Sequence, residues 1–216
     1  MASKIGVEEV VLVESILWES CCGYWLLPEH LERLKNSANY YSIQIDDKEL
    51  DQKLARIVKD LDASPQLIQV SVNHQGTLNL SAKPTIEDRT PYKVTMASEC
   101  INKNDQILFH NTTDRQQYDK AKSAHPDFDD VILWNSDNEI TESCTGNIVV
   151  EIDDVHFTPP LECGLLAGTY RAELLKQGTI QEKIIKTEQL ENYTKIFIIN
   201  SAVGWREAIL NEEKSS

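Results

Sequence analysis

In the first eighty residues the apolar positions change period twice, so this stretch must set strands and helices against one core. Val10 to Trp18 is rich in β-branched residues, with polar Glu14 and Ser15 interrupting it, and Gly23-Tyr24-Trp25 follows after a short polar stretch, as in two strands joined by a turn. From Pro28 the spacing turns helical, with Leu31, Leu34, Ala38 and Tyr41 in register. A proline suits the first turn of a helix, and Glu29 its positive end. A second helix is expected over Asp46 to Leu61, with Leu50, Leu54, Ile57 and Leu61 on one face. Leu67 to Val72 and Thr77 to Leu80 then flank Asn73-His74-Gln75-Gly76, a second hairpin closed by a glycine-containing turn.

These elements make a small α+β lobe over residues 1–82. The polar stretch 83–92, with Pro84 and Pro91, reads as a crossover into a larger lobe over 93–216. There the pattern predicts an extended Tyr92 to Met96, a helix over Asp114 to Ser123, strands at Val131 to Trp134 and Ile148 to Ile152, and a helix from about Thr169 to Leu175 after Gly164 and Gly168. Lys183 to Ile185 and Lys195 to Ile199 look extended. No internal repeat is present.

Acidic residues number 35 against 21 basic, a formal charge of −14, which repels both the nucleic-acid backbone and an anionic membrane face. Any anionic ligand must be held by a few local cations and backbone N–H groups. The five cysteines, at 21, 22, 100, 144 and 163, form no metal spacing, and the adjacent pair has poor geometry for a disulfide. Reduced thiols in a cytoplasmic protein are the expectation. The start of the chain has no signal-peptide core, and no stretch reaches the ~20 apolar residues of a membrane span.

Five blocks in the second half occur in a telling order: Asp129 to Asn135, Ile140 to Asn147 (ITESCTGN), Phe157 to Leu161, Gly164 to Arg171 (GLLAGTYR), and Asn200-Ser201. With His30 to Ala38 in the first helix, the series resembles the class IV aminotransferases and aminodeoxychorismate lyases, most closely the lyase-like domain fused in some bacteria to aminodeoxychorismate synthase. The resemblance covers nearly the whole chain. It implies the two-lobed α+β fold of fold type IV pyridoxal-phosphate enzymes, like D-amino-acid aminotransferase, and a cytoplasmic homodimer acting on a small anionic substrate.

Pyridoxal phosphate needs an amine to form an imine, an acid beside the pyridine nitrogen, and donors around its phosphate. By resemblance, Glu142 is the pyridine partner; taken alone it would be read as an exposed turn carboxylate. Gly168, Thr169 and Tyr170 match the positions that present amides to the phosphate at a helix start, although a glycine there is more often only a cap. Arg33 matches the phosphate-binding arginine, and by itself would be a solvated residue one turn after Glu29. Ser201 matches a further phosphate ligand, and by itself would be a turn residue. Arg115 and Asn147 are the substrate-side candidates, and no metal ligand is expected.

The amine is missing. The family pattern reads His, Lys, Thr, Thr, any residue, Arg, where this chain has His110-Asn111-Thr112-Thr113-Asp114-Arg115. An asparagine amide can neither form an internal imine nor shuttle a proton at a carbanion, so pyridoxal phosphate is expected to bind noncovalently at most, or not at all. Lys93 and Lys120 read as surface residues, and Cys144 as a small buried side chain. Three readings stay open: an enzyme like 4-amino-4-deoxychorismate lyase, which releases 4-aminobenzoate and pyruvate for folate synthesis; a noncatalytic relative binding a small anion or a protein; and a catalyst reusing the cleft without an imine. A class IV transaminase is the second choice of ancestry, and an engineered Lys-to-Asn variant would read identically.

Overall fold

β1 (Leu12–Glu19) alternates: Leu12, Glu14 and Ile16 are buried while Val13, Ser15 and Leu17 are half-buried, the period-two pattern of a strand with one face on a core. The structure is a computed structural model that describes residues 10–85 and 90–211. The chain divides into two units, Met1–Glu87 with His110–Asp114 and Asp88–Phe109 with Arg115–Ser216.

In the first unit, β2 (Gly23–Tyr24), β1, β3 (Gln66–Val72) and β4 (Leu78–Pro84) form an antiparallel sheet in that order. Two helices, α1 (Leu27–Tyr40) and α2 (Asp47–Ile57), supply Leu34, Ala38, Leu50 and Leu54 to a core with Leu12, Ile16, Ile68, Val70 and Leu78. Asp46 caps α2 by accepting from the Lys48 and Glu49 N–H groups at 2.9 and 3.1 Å. That helix ends earlier than its apolar spacing predicts. Val58–Asp60 tighten into a 3-10 turn and Leu61 is extended, yet Leu61 still packs on the core. The turn between β3 and β4 requires Gly76, whose φ is +81° and whose Cβ would lie 2.1 Å from the Gln44 carbonyl oxygen.

Two segments differ from expectation around the crossover. Lys83 and Pro84 continue β4 in register with Leu67 and Gln66, at a sheet edge where a proline removes no ladder bond, while residues 86–89 lie outside the described residues. His110–Asp114 group with the first unit because their backbone joins β1: Val13 N–H donates to Asn111 O and Thr113 N–H to Val11 O, both at 2.9 Å.

The second unit contains β5 (Tyr92–Met96), α3 (Gln116–Ala124), β6 (Asp130–Trp134), β7 (Ile140–Ser143), β8 (Asn147–Ile152), β9 (Val155–Thr158), α4 (Thr169–Lys176), β10 (Gln181–Glu182), β11 (Lys195–Asn200) and β12 (Gly204–Leu210). The strand order is β10-β9-β8-β11-β12-β5-β6-β7, and because β7 also pairs with β8, six of the strands close into a ring. Val94, Ile132, Ile140, Ile148, Val150, Ile196 and Ile198 fill one core cluster. On the other faces of the strands, Val131 and Leu133 meet Tyr118 and Ala121 of α3, and Val149 and Ile199 meet Leu174 of α4. Strands buried on both faces read as continuous apolar runs, which is why β6 and β8 show no alternation.

The expected strand at Lys183 to Ile185 falls two residues earlier, at β10. Lys183 N–H still donates to Thr158 O at 3.0 Å, but Ile185 then buries its side chain in the core and its carbonyl accepts from Ile140 N–H at 2.8 Å, which ends the ladder.

Candidate active site

The second unit gathers a set of polar groups where β7 turns into β8. Glu142 and Asn147 pair across that hairpin, and Asn147 also pairs with Ile199 of β11, so the end of β7 and the start of β8 meet the last residues of β11. Gly146 in this turn has no room for a side chain, since its Cβ would stand 2.6 Å from the Ile199 carbonyl oxygen. Ser201, buried, follows β11 directly.

Glu142 is 3% exposed, not a solvated turn carboxylate. A buried carboxylate needs donors to offset lost hydration. Tyr118 Oη donates to its Oε1 at 2.7 Å, and the Leu166 N–H donates to Oε2 at 3.2 Å. Burial, then the charge and bond of Glu142, push the Tyr118 phenol far up, so it remains a donor at neutral pH. Arg115 lies over the Tyr118 ring with 4.5 Å to its centroid, and its Nη2 donates to the Cys144 carbonyl. Arg115, expected on the substrate side, therefore braces the residue that braces Glu142. Burial raises the Cys144 thiol to about 12, so it is protonated and no nucleophile.

Asn147, the other expected substrate-side residue, holds the loop before α4. Its Nδ2 donates to Leu166 O at 2.9 Å, and its Oδ1 lies where a Cβ on Gly168 would be, at 2.0 Å. Gly168 thus lets the loop close onto Asn147 and enters α4 extended, with no side chain to cap the helix. Thr169 and Tyr170 form the first turn, at the positive end of the helix dipole. Tyr170 packs beside Trp205, Thr169 is buried, and Arg171 is tied down by Pro159 O at 2.8 Å and Glu182 at 2.6 Å.

In the first unit, Arg33 does not pair with Glu29 one turn away. It forks onto Glu14, with Nε to Oε1 at 2.8 Å and Nη2 to Oε2 at 2.6 Å, and His30 Nδ1 lies 2.6 Å from the same Oε2. Burial opposes charge on Glu14, but the Arg33 guanidinium and the bonds from Arg33 and His30 outweigh it and hold the carboxyl below the usual range. Glu14 and Tyr118 escaped the sequence reading. For Glu14 a signal existed: it stands between Leu12 and Ile16 on the inward face of β1, where a carboxylate demands partners.

Asn111 sits across from Val13, fixed through its main chain. Its neighbour His110 contacts Ser37 Oγ through Nδ1 at 3.0 Å and stacks 4.3 Å from Tyr40, and burial lowers its pKa so that it is neutral at neutral pH. Lys120 is exposed and paired with Glu99 at 2.6 Å, and Lys93 is exposed with its amine over the Phe128 ring at 4.7 Å, as expected of surface lysines. Of the expected residues, the structure joins Glu142, Asn147 and Gly168 directly, with Thr169, Tyr170, Ser201 and Arg115 beside them in the second unit; Arg33 and Asn111 belong to the first.

The family model described as Amino-transferase class IV matches residues 11–209. The chain belongs to the class IV amino-transferase family. A Schizosaccharomyces pombe relative of this class IV chain, named "Putative aminodeoxychorismate lyase", is 28% identical over 217 residues, covering 90% of this chain and 87% of the relative. Among solved structures, a "Putative amino-acid aminotransferase" from Mesorhizobium loti superposes with a TM-score of 0.89 at 27% identity, covering 94% of this chain and 100% of that one. A "Putative 4-amino-4-deoxychorismate lyase" from Legionella pneumophila gives 0.82 at 21% identity, covering 93% and 82%, a likeness of fold. The architecture is that of fold type IV pyridoxal-phosphate enzymes, as the sequence implied. Among the described residues no helix is long and apolar enough to cross a membrane.

Proposed function

We propose that this chain is an aminodeoxychorismate-lyase-like member of its family that retains the means to bind pyridoxal phosphate and has lost the means to tether it. The observation that carries this reading is Glu142: a buried carboxylate held in place by Tyr118 and the Leu166 N–H, the residue type that keeps a pyridine nitrogen protonated.

The donor set fits the cofactor apart from the amine. Within the second unit, the first turn of α4 and Ser201 would hold the phosphate and Glu142 the ring nitrogen; in the first unit, Arg33, which the family resemblance assigns to the phosphate, keeps a guanidinium whose plane Glu14 fixes. When bound, pyridoxal phosphate supplies an electron sink. The chain's own part is to orient and to keep charges in place. Asn111 can hydrogen-bond a ligand but cannot move a proton, so the lysine route to cleavage is closed.

The name of the Schizosaccharomyces pombe relative, matched over most of both chains, supports lyase ancestry, with aminodeoxychorismate as the substrate class. The Mesorhizobium loti protein supports the transaminase alternative. The absorption spectrum and mass of the purified protein, followed by a pyridoxal phosphate titration, test the reading. Expected are saturable, dialysable binding with no covalent lysine adduct, and an altered bound-cofactor spectrum in Glu142→Gln. Failure to bind at saturating cofactor, or a spectrum indifferent to Glu142→Gln, would sink it.

A further inference from the structure

The turn between β1 and β2 carries a second group of ligating side chains. Glu19 pairs with Gly23, the Cys22 N–H donates to Glu19 O at 3.1 Å, and Gly23 takes a φ of +80°, which closes a tight turn over Ser20, Cys21 and Cys22. In an extended chain neighbouring side chains point to opposite sides. Here the turn brings them together: Cys21 Sγ and Cys22 Sγ are 2.8 Å apart, and a Glu19 carboxylate oxygen and both sulfurs lie within 4.8 Å of one another. Both cysteines are exposed, so a solute reaches them directly.

We propose that Glu19, Cys21 and Cys22 form a binding site for a thiophilic divalent cation of the zinc and cadmium class. Two sulfurs and one carboxylate oxygen are three ligands of a tetrahedral site, and water completes it. Bonds of about 2.3 Å at tetrahedral angles need the sulfurs about 3.8 Å apart, so they must open by about 1 Å, which two side chains on an exposed turn can do by rotation. Each thiol gives up its proton on binding, so one cation releases two protons and the occupied site carries one net negative charge. Thiolate ligands select such ions over magnesium or calcium, and the net charge of −14 favours the approach of any cation.

The turn is far from the other groups of this unit. Residues 111–113 pair with the first residues of β1, and about six residues of strand, roughly 20 Å, separate Val13 from Glu19. Substitutions in the turn should therefore leave cofactor binding unchanged.

The test is a cadmium titration of the reduced, metal-free full chain. One equivalent should produce thiolate-to-cadmium charge-transfer absorption and release two protons, and zinc should compete with it only in large excess. Cys21→Ser with Cys22→Ser should abolish the signal at unchanged circular dichroism, Cys100→Ser should leave it intact, and Glu19→Gln should weaken binding by no less than the roughly tenfold that loss of an outer-shell partner costs. The proposal is overturned by an absent signal, by one that survives the double serine variant or vanishes with Cys100→Ser, or by affinity indifferent to Glu19→Gln.

Discussion

The Tyr118 hydroxyl donates to Glu142 Oε1 at 2.7 Å, which makes a helix residue the keeper of a strand carboxylate. Tyr118→Phe would remove that donor from a buried carboxylate. The expected cost is about 1.5–3 kcal/mol of stability, measured by urea unfolding, with weaker pyridoxal phosphate binding measured by calorimetry. Unchanged values in both would show that Glu142 is satisfied elsewhere.

Glu14 offers a pH test. Its folded pKa is depressed below its ordinary 4.5, so its stabilisation is fully present above that value and is lost as pH falls through the lower folded value. Unfolding curves from neutral to strongly acidic pH should show the loss below 4.5 in the parent and a flatter profile in Glu14→Gln. At neutral pH, Glu14→Ala strands two cationic or donor groups and should cost about 3–5 kcal/mol.

Gly168→Ala should push the Asn147 amide off Leu166, because the added Cβ would stand 2.0 Å from Asn147 Oδ1. Loss of about 1–3 kcal/mol is expected. Asn147→Ala in the same chain relieves the clash, so the double variant should be more stable than the sum of the single effects predicts. Simple additivity in a thermodynamic cycle would disprove the contact.

Asn111→Lys should restore a covalent link to the cofactor. Borohydride reduction with excess pyridoxal phosphate should place an adduct on residue 111 by peptide mapping, with none there in the parent. Turnover of aminodeoxychorismate by the lysine variant would mark the asparagine as the sole block, and an adduct without turnover would favour the binding role. A folded variant without any adduct would refute the match of Asn111 to the lysine position.

Strands and helices with one buried face were legible in the sequence: β1, α1, β3 and α4 lie close to where their apolar spacing puts them. β12 was not, because Trp205, Arg206 and Glu207 break the apolar run; Arg206 is nevertheless buried, stacked 4.8 Å from Tyr92 and donating to Thr90 O at 2.9 Å. β7 hid inside a motif read for its chemistry. Arg33, Glu142 and Gly168 were singled out by resemblance; that they partner Glu14, Tyr118 and Asn147 Oδ1 comes from contacts between distant residues, which local spacing does not encode, although the inward place of Glu14 on β1 already called for some partner.

The ring of strands in the second unit is closed by the pairing of Glu142 with Asn147. The seam itself is main-chain pairing that any residue can make; what the two side chains add is a hold on the loop before α4, the Asn147 amide donating to Leu166 O and the Glu142 carboxylate accepting from the Leu166 N–H. Residue 111 gives β1 only a main-chain carbonyl oxygen among the bonds described, which every amino acid carries. Glu142 and Asn147 by contrast carry a structural duty beside any ligand duty, and a variant at either reads out on the Leu166 loop as well as on cofactor binding.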